Sequence, residues 1–208
     1  VGKNGAGKTT LTRILLNLES HEGELIKGHN VDVGYYAQNQ AEELEGKITV
    51  LETLEAEVTV ESKVNLRSML GSFLFSGEDV DKKVSVLSGG EKARLALCKL
   101  LLHPYNVLIL DEPTNHLDLK SKSVLKDALV NFDGSLIVVS HDRDFLSGLT
   151  EFVYEVTPTG LRQYIGDIKM FLHAKHAESI GAYEASKTGE RVIEKARNRK
   201  LDEQPTKS

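Results

Sequence analysis

The start of the chain, residues 2–10 (GKNGAGKTT), carries glycines, a lysine and hydroxyl side chains at the spacing of a phosphate-binding loop. The stretch fits the P-loop pattern G-x-x-x-x-G-K-[ST]. Gly5 and Gly7 lack a Cβ, so consecutive backbone N–H groups can turn toward a phosphate. Lys8 supplies a positive charge for β- and γ-phosphates, and the Thr9 hydroxyl can ligate Mg²⁺. The alternative is an ordinary glycine-rich turn before a helix.

Apolar residues at helical spacing from Leu11 to Leu18 predict that a helix follows this loop, with its N-terminal dipole facing the same phosphates. Such a loop should also follow a buried β-strand, and only Val1 precedes it. We therefore expect the chain to be a fragment cut just upstream of the loop.

Two acidic residues and a histidine follow apolar runs further along the chain. Asp111 and Glu112 follow residues 107–110, and His141 comes soon after residues 136–139. Unbroken apolar runs of this length predict buried parallel strands, whose carboxyl ends collect ligand groups. In a P-loop protein such an aspartate holds Mg²⁺, and the next carboxylate can accept a proton from the attacking water. For the acidic pair, the alternative is a solvated loop. For His141, its position at the end of a strand favours a γ-phosphate contact, and the alternative is a structural histidine.

A second phosphate-binding geometry is predicted at residues 87–91 (LSGGE). Ser-Gly-Gly at the start of a helix offers open N–H groups and a helix dipole. This segment lies far along the chain from Lys8, so the economical arrangement is a dimer of domains. Each domain would sandwich ATP against residues 87–91 of the other domain, and hydrolysis would release the two domains from each other. Gln38, at the end of a predicted strand over 33–38, gains meaning only beside these motifs.

The remaining patterns predict an α-helical insert and a closing hairpin. Thr49 with Glu52 forms a capping-box pattern at a helix start. Pro104 should end a helix over 92–102, and Asp167 can cap a last helix toward Lys175. The other predicted elements are strands at 25–26 and 31–33, helices at 64–71 and 121–130, Phe73 to Phe75 packed beneath the insert, and a hairpin of 152–156 with 161–164.

Composition excludes several protein classes. The chain of 208 residues is 40% hydrophobic, which is enough for a proper core, and its net charge of −5 argues against a strongly basic nucleic-acid-coating surface. Cys98 is the single cysteine, so no disulfide framework is possible and a buried structural thiol in a reducing compartment is predicted. No transmembrane run or signal peptide is visible, so we expect a cytoplasmic protein.

The last part of the chain, residues 176–208, is polar and carries both charge signs with a basic bias. Its composition predicts a frayed or disordered tail. The tail is either a solubilising segment or a weak contact for RNA phosphates.

The order of these motifs is similar to that in the nucleotide-binding domain of the ABC ATPase superfamily. More narrowly, three segments resemble the ABC-F family: LSGGEKARLAL at 87–97, DEPTNHLD at 111–118 and SHDRDFL at 140–146. Transporter domains usually carry Gln after Ser-Gly-Gly and lack Asn-His after Pro-Thr. The resemblance extends over about 2–172. ABC-F proteins have two such domains on one chain and no membrane part, and the closing pattern with the short insert looks most like the C-terminal domain.

The resemblance implies roles for matching positions. Asp111 resembles the Walker B aspartate, Glu112 the catalytic carboxylate and His141 the switch histidine, while Asp118 closes a loop at the dimer interface. Gln38 resembles the residue that couples Mg²⁺ and water to the helical subdomain. The implied nucleotide-binding residues are Gly2, Asn4, Gly5, Ala6, Gly7, Lys8, Thr9 and Thr10 in the Walker A loop, with Ser88, Gly89 and Gly90 contacting ATP held by the partner domain. Thr9, Gln38 and Asp111 are the implied Mg²⁺ residues.

We therefore expect an α/β fold, a P-loop NTPase domain of the ABC nucleotide-binding type over 1–175, with an inserted α-helical subdomain over about 41–102. Its expected function is MgATP binding and hydrolysis against a second ABC domain of the same parent chain. The resemblance implies a ribosome-associated translation factor whose rRNA and tRNA contacts lie mainly in other parts of the protein. The alternatives are an ATPase subunit of a transporter and an ATP-gated scaffold with little turnover.

Overall fold

A computed structural model describes residues 1–37, 39–58 and 64–179 of the chain. Gln38 and most of the predicted tail, 180–208, lie outside the described residues. The strands are β1 (Val33–Tyr36), β2 (Val107–Asp111), β3 (Ser135–Val139), β4 (Phe152–Thr157) and β5 (Gly160–Ile165). The helices are α1 (Lys8–Leu15), α2 (Val50–Glu55), α3 (Leu66–Ser72), α4 (Gly89–Leu102), α5 (Leu119–Val130), α6 (Arg143–Leu146) and α7 (168–179).

A three-stranded parallel sheet of β1, β2 and β3 positions the candidate site, with β2 in the centre. The central strand is apolar from Val107 to Leu110, and Leu108 and Leu110 are fully buried. Asp111 pairs with Val139 at the end of the sheet. Because the strands are parallel, the segments that follow β1, β2 and β3 leave the sheet at one edge. The α/β fold and both predicted apolar strands are confirmed.

The prediction that β3 is buried is wrong for most of its length. Only Val139 is buried, and Ile137 keeps 39% of its surface exposed. β3 is one of the two outer strands, so one of its edges lacks a neighbouring strand among the described residues. A groove of about 590 Å³ lies between β3, β4 and α1.

Helices α1 and α4 contact the sheet, α1 against β2 and α4 against β1. The helix predicted over 92–102 begins at Gly89, because Ser88 caps it through a capping box with Glu91. It ends at Leu102, as Pro104 predicted. Cys98 is fully buried on this helix, and burial raises the pKa of its thiol to about 12. That burial confirms the interpretation of Cys98 as a structural thiol.

The insert between β1 and α4 contains α2, α3 and two short 3₁₀ helices (Gly77–Asp81 and Val84–Val86). Thr49 begins α2 with the predicted capping box: its backbone N–H donates to Glu52 at 2.6 Å, and its hydroxyl accepts from Glu52 N at 3.2 Å. Phe73 and Phe75, which follow α3, are buried in the core, as expected for residues predicted to pack beneath the helix over 64–71.

The strand predicted at residues 25–26 is wrong, because residues 16–32 contain no strand. Ile26 is 79% exposed. A short apolar pair becomes a strand only when a neighbouring strand takes up its backbone hydrogen bonds, and none of the described strands lies beside it. Of the strand predicted over 31–33, only Val33 is in β1.

The closing hairpin is confirmed: β4 pairs with β5 in antiparallel register from Phe152↔Ile165 to Thr157↔Gly160. Asp167 caps α7 by accepting from Met170 N at 3.1 Å. The Tyr164 ring packs edge-on against Phe171 of α7, with centroids 4.9 Å apart. Val1 adjoins β4 as a strand residue would, because its carbonyl accepts from Val156 N at 2.9 Å. Within the described part of the chain, no helix has the length and apolarity needed to cross a bilayer.

Candidate nucleotide site

The glycine-rich loop turns through backbone conformations that only glycine adopts easily. Gly5 and Gly7 have φ angles of 75° and 94°, and a Cβ at either position would meet nothing within 4 Å. The space in front of these residues is therefore open, so a phosphate can approach their N–H groups. Helix α1 begins immediately afterwards, and the N–H groups of its first turn have no intrahelical acceptors.

Lys8 holds the loop together in this structure. Its Nζ donates to the carbonyl oxygens of Gly2 and Lys3, both at 3.0 Å. These two contacts place the ammonium inside the curve of the loop. The side chains of Asn4, Thr9 and Thr10 are exposed around it, and an exposed Thr9 hydroxyl can reach a cation beside the phosphates.

Asp111 lies at the end of β2 with 3% of its surface exposed. The negative charge of Asp111 affects the pKa of the nearby Tyr35 phenol, on β1. Burial, followed by the negative charge of Asp111, raises the pKa of Tyr35, and a hydrogen bond with the Thr12 side chain opposes that rise. Thr12 belongs to α1, so Asp111 and the helix behind the glycine-rich loop occupy one region.

Glu112 follows in a strained conformation. Its φ is 52°, in the left-handed region that a residue with a side chain adopts only when its surroundings enforce it. The N–H of Glu112 donates to Val139 O at 2.8 Å, which fixes the turn onto β3. Strain of this kind costs about 1–3 kcal/mol and concentrates at functional sites. It points the Glu112 carboxylate toward the end of β3 instead of along the exit of β2.

His141 meets that carboxylate. The Nε2 atom of His141 lies 3.6 Å from Glu112 Oε1, and His141 N donates weakly to Glu112 Oε2 at 3.4 Å. Only 15% of the Glu112 side chain is exposed, against 54% for His141. Glu112 Oε1 is buried and has no hydrogen-bond partner among the described residues. A buried carboxylate oxygen of this kind is a free acceptor for a proton.

The loop that carries His141 is fastened by side chains for which the sequence predicted no role. Ser140 Oγ lies 3.3 Å from Thr114 Oγ1, and both residues are buried. Asp142 N donates to the same Ser140 oxygen at 3.1 Å, and Asp142 Oδ1 accepts from Phe145 N at 3.0 Å to cap α6. The available signal was an Asp placed directly before a short helical pattern.

The predicted second device, Ser88 to Gly90, begins α4. Ser88 donates to Glu91 Oε2 through its N–H at 2.8 Å and through its hydroxyl at 2.6 Å. These hydrogen bonds from Ser88, side chain first and backbone second, lower the pKa of Glu91. The N–H groups of Gly89 and Gly90 belong to the first helical turn and have no acceptor within the helix, so they are the donors that remain for an anion.

Gly90 also lets α4 approach the loop after β2. A Cβ at Gly90 would lie 2.9 Å from the carbonyl oxygen of His116, whereas a Cβ at Gly89 would meet nothing within 4 Å. Asp118, which the family resemblance places at a dimer interface, caps α5 here by accepting from Ser121 N at 2.7 Å. The structure therefore joins Asp111, Glu112 and His141 at one edge of the sheet, and sets Gly90 against His116.

The two glycines give a matched test of this close approach. We expect Gly90→Ala to lower the free energy of unfolding by about 1–3 kcal/mol, because the new methyl group must displace the His116 carbonyl. Gly89→Ala should be neutral or slightly stabilising, since alanine favours helix and the space is open. Thermal melts of the two variants measure the difference. Equal melting temperatures would show that α4 does not pack tightly on His116.

The residues present fit a nucleotide with a divalent cation. The open glycine turn, the Lys8 ammonium and the first turn of α1 suit a phosphate chain. The described residues contain no cluster of three or more His, Cys, Asp or Glu side chains that could hold a metal ion. A cation held here by Thr9 and Asp111 would thus draw its other ligands from phosphate and water, as Mg²⁺ commonly does.

Comparison with known proteins gives a consistent family. Residues 1–115 match the family model described as ABC transporter. The chain is 49% identical over 176 residues to the YdiF protein of Bacillus subtilis, and 46% identical over 175 residues to ABC transporter F family member 2 of Arabidopsis thaliana. These matches cover 84% and 83% of this chain but only 27% and 26% of the relatives. The chain thus spans about a quarter of the length of the curated relatives it matches.

Solved structures share the fold. The structural match to the RNase-L Inhibitor covers 86% of this chain and 36% of the inhibitor chain, with a TM-score of 0.67 at 24% sequence identity. A dimeric ATP-binding cassette in a post-hydrolysis state, bound to ADP and Pi, matches 79% of this chain and 82% of its own, with a TM-score of 0.61 at 20% identity. At these identities the likeness concerns the fold alone.

Proposed function

Because this chain belongs to the ABC transporter family and is an ABC ATPase domain, we propose that it binds ATP with Mg²⁺ and hydrolyses the bond to the γ-phosphate. The observation that carries the proposal is the buried Glu112 Oε1, which has no hydrogen-bond partner among the described residues and lies 3.6 Å from His141 Nε2. A free carboxylate oxygen beside a histidine is what a water-activating site needs.

Binding rests on the glycine-rich loop. The N–H groups from Gly5 to Lys8 surround the phosphates, and the Lys8 ammonium exchanges its two loop carbonyls for phosphate oxygens. Thr9, Asp111 and Gln38 are the proposed Mg²⁺ residues. When bound, the cation neutralises the charge of the phosphate oxygens. The flanking loop residues Gly2, Asn4, Ala6 and Thr10 complete the pocket wall.

Hydrolysis rests on Glu112. Its carboxylate accepts the proton of the attacking water, and its strained backbone keeps it turned toward the end of β3. His141 lies on the open side of that carboxylate, with 54% of its side chain exposed, where it contacts the γ-phosphate. Gln38 couples this centre to the helical subdomain over about 41–102.

The proposed working unit is a sandwich of two ABC domains from one protein. Ser88, Gly89 and Gly90 contact the ATP held by the second domain through the first turn of α4. The alternative of one domain acting alone would leave this second anion device without a ligand. The proposed domain covers 1–175 and the proposed charged tail covers 176–208, of which the structure describes 176–179 as the end of α7.

The finer proposal is a ribosome-associated role in the cytoplasm as an ABC-F translation factor. It is supported by the three ABC-F-like segments and by the similarity to ABC transporter F family members. One protein of similar fold, the archaeal ribosome recycling factor aABCE1, was solved in complex with the archaeal ribosomal stalk protein aP1. Contacts with rRNA and tRNA are assigned mainly to parts of the protein outside this chain.

The test uses the protein at its full natural length, with Glu112 and its counterpart in any second ABC domain changed to Gln. This form should sediment with ribosomes in MgATP and not in MgADP, because it retains ATP and stays closed. A control form that also carries Lys8→Ala and its counterpart should sediment in neither nucleotide. Absence of sedimentation of the Glu→Gln form in both nucleotides would reject the ribosomal partner and favour a membrane or protein partner.

A further inference from the structure

We propose that Lys122 is a positioning residue for hydrolysis, which holds the loop of His141 against Glu112 through an ion pair with Asp142. The inference rests on the proposed function, since it assigns a residue to the same site. Lys122 lies on α5 and touches neither Glu112 nor the glycine-rich loop in any hydrogen bond or ion pair found among the described residues.

The ion pair is short and half-buried. Lys122 Nζ lies 2.6 Å from Asp142 Oδ2, and the two side chains are 29% and 20% exposed. Attraction between opposite charges is stronger in such a place than on an open surface, because less water screens it. Asp142 directly follows His141, so a shift of the Asp142 backbone also moves His141.

Asp142 uses both carboxylate oxygens. Oδ1 accepts from Phe145 N and caps α6, while Oδ2 accepts from Lys122. Burial opposes the charge on Asp142, but the hydrogen bonds from Lys122 and Phe145 N outweigh it and lower the pKa of the carboxyl. Without the ammonium, a half-buried carboxylate would remain charged and unpaired, and the loop would move toward water to relieve it.

Lys122 itself stands on a fixed support, so it can hold the loop. The first turn of α5 is capped by Asp118, whose Oδ1 accepts from Ser121 N at 2.7 Å. From α4, Arg94 Nη1 donates to Ser121 Oγ at 3.0 Å, and its guanidinium lies 5.3 Å from the centroid of the Phe75 ring. The turn that carries Lys122 is thereby tied to α4, the helix that begins at Gly89.

Lys126 provides a matched control on the same helix. It lies one turn after Lys122, and its Nζ donates to the carbonyl oxygen of Asp144 at 2.8 Å. Both lysines therefore fasten α5 to α6, but only Lys122 pairs with the residue beside His141. A role in general stability predicts similar effects for the two lysines, whereas a positioning role predicts a kinetic effect for Lys122 alone.

The experiment measures single-turnover ATP hydrolysis in the full-length protein, with the catalytic glutamate of any second ABC domain changed to Gln so that only this site reacts. Here kcat is the rate constant at saturating ATP, and KM is the ATP concentration that gives half of it. We expect Lys122→Met to lower kcat about 10- to 100-fold while KM for ATP changes less than about twofold. Lys126→Met should keep kcat within about twofold of wild type. Lys122→Arg, which keeps the charge, should restore most of the activity.

Asp142→Asn completes the cycle, because asparagine still caps α6 but carries no charge. It should lower kcat as Lys122→Met does, and the double variant should be no worse than either single variant. If Lys122→Met does not fold, Asp142→Asn alone tests the proposal. The proposal is overturned if Lys122→Met and Lys126→Met have equal kcat values, or if the effects of Lys122→Met and Asp142→Asn multiply.

Failure of the proposed function gives a different result. If Glu112→Gln hydrolyses ATP at the wild-type rate, the proposed catalytic site is wrong whatever Lys122 does. If Glu112→Gln abolishes turnover and Lys122→Met does not lower it, only the role of Lys122 is wrong.

Discussion

Glu112→Gln should leave ATP binding intact and slow hydrolysis by about 10²–10⁴-fold, the range that general base catalysis supplies. The amide keeps the size of the side chain, and its oxygen can still accept the 3.4 Å hydrogen bond from His141 N. It lacks the basicity of the Glu112 carboxylate, so the proton of the attacking water has no acceptor. The closed state with ATP should therefore persist.

Phosphate release measures the rate, and filter binding with labelled ATP measures retention. Glu151→Gln is the matched control, since Glu151 is an exposed glutamate just before β4, and it should hydrolyse ATP as the wild type does. Wild-type turnover in Glu112→Gln would mean that another group accepts the proton. Loss of ATP binding would mean that Glu112 supports the pocket and is not the base.

Lys8→Ala should weaken ATP binding by at least about 10- to 150-fold, so that little nucleotide is retained at concentrations that only just saturate the wild type. Loss of a charge-assisted hydrogen bond costs about 1.5–3 kcal/mol, or about 10- to 150-fold in affinity. The loop loses a second contribution, because Lys8 Nζ also holds the carbonyls of Gly2 and Lys3 at 3.0 Å. We therefore expect the loop to become less ordered as well as less positive.

Filter binding of ATP checks this result, with Lys27→Ala as the control for loss of an exposed lysine. Lys27→Ala should bind as the wild type does. Hydrogen exchange at the N–H groups of 2–7 separates the two contributions, since a purely electrostatic role for Lys8 would leave exchange in the nucleotide-free protein unchanged. ATP affinity at the wild-type level in Lys8→Ala would remove the glycine-rich loop from the proposed site.

Local patterns were sufficient for the elements that depend on a few neighbouring residues. The glycine-rich loop and α1, the capping box of Thr49 and Glu52, the apolar run of β2 and the hairpin turn before Gly160 were all predicted. Each is stabilised by contacts within about ten residues, or is an apolar run that is stable only as a buried strand. The residue types around Lys8 also distinguished it from ordinary surface lysines, because the spacing of the P-loop pattern is demanding.

Other features depend on which segments become neighbours. The pair at 25–26 has strand-forming residues but no strand beside it, and β3 is as apolar as β2 but lies at the outer edge of the three strands. Strand character and burial both depend on a partner far along the chain, which periodicity does not reveal.

The sequence by itself determined the glycine-rich loop with Lys8, the acidic pair at the end of β2 and the histidine after β3, because each follows from residue type and local spacing. Only the tertiary structure decided that Glu112 turns through a left-handed backbone to meet His141, that Gly90 lies against His116, and that Lys122 pairs with Asp142. Those contacts join residues 20 or more positions apart in the chain. They exist because parallel strands bring their carboxyl ends to one edge and α5 crosses beside it.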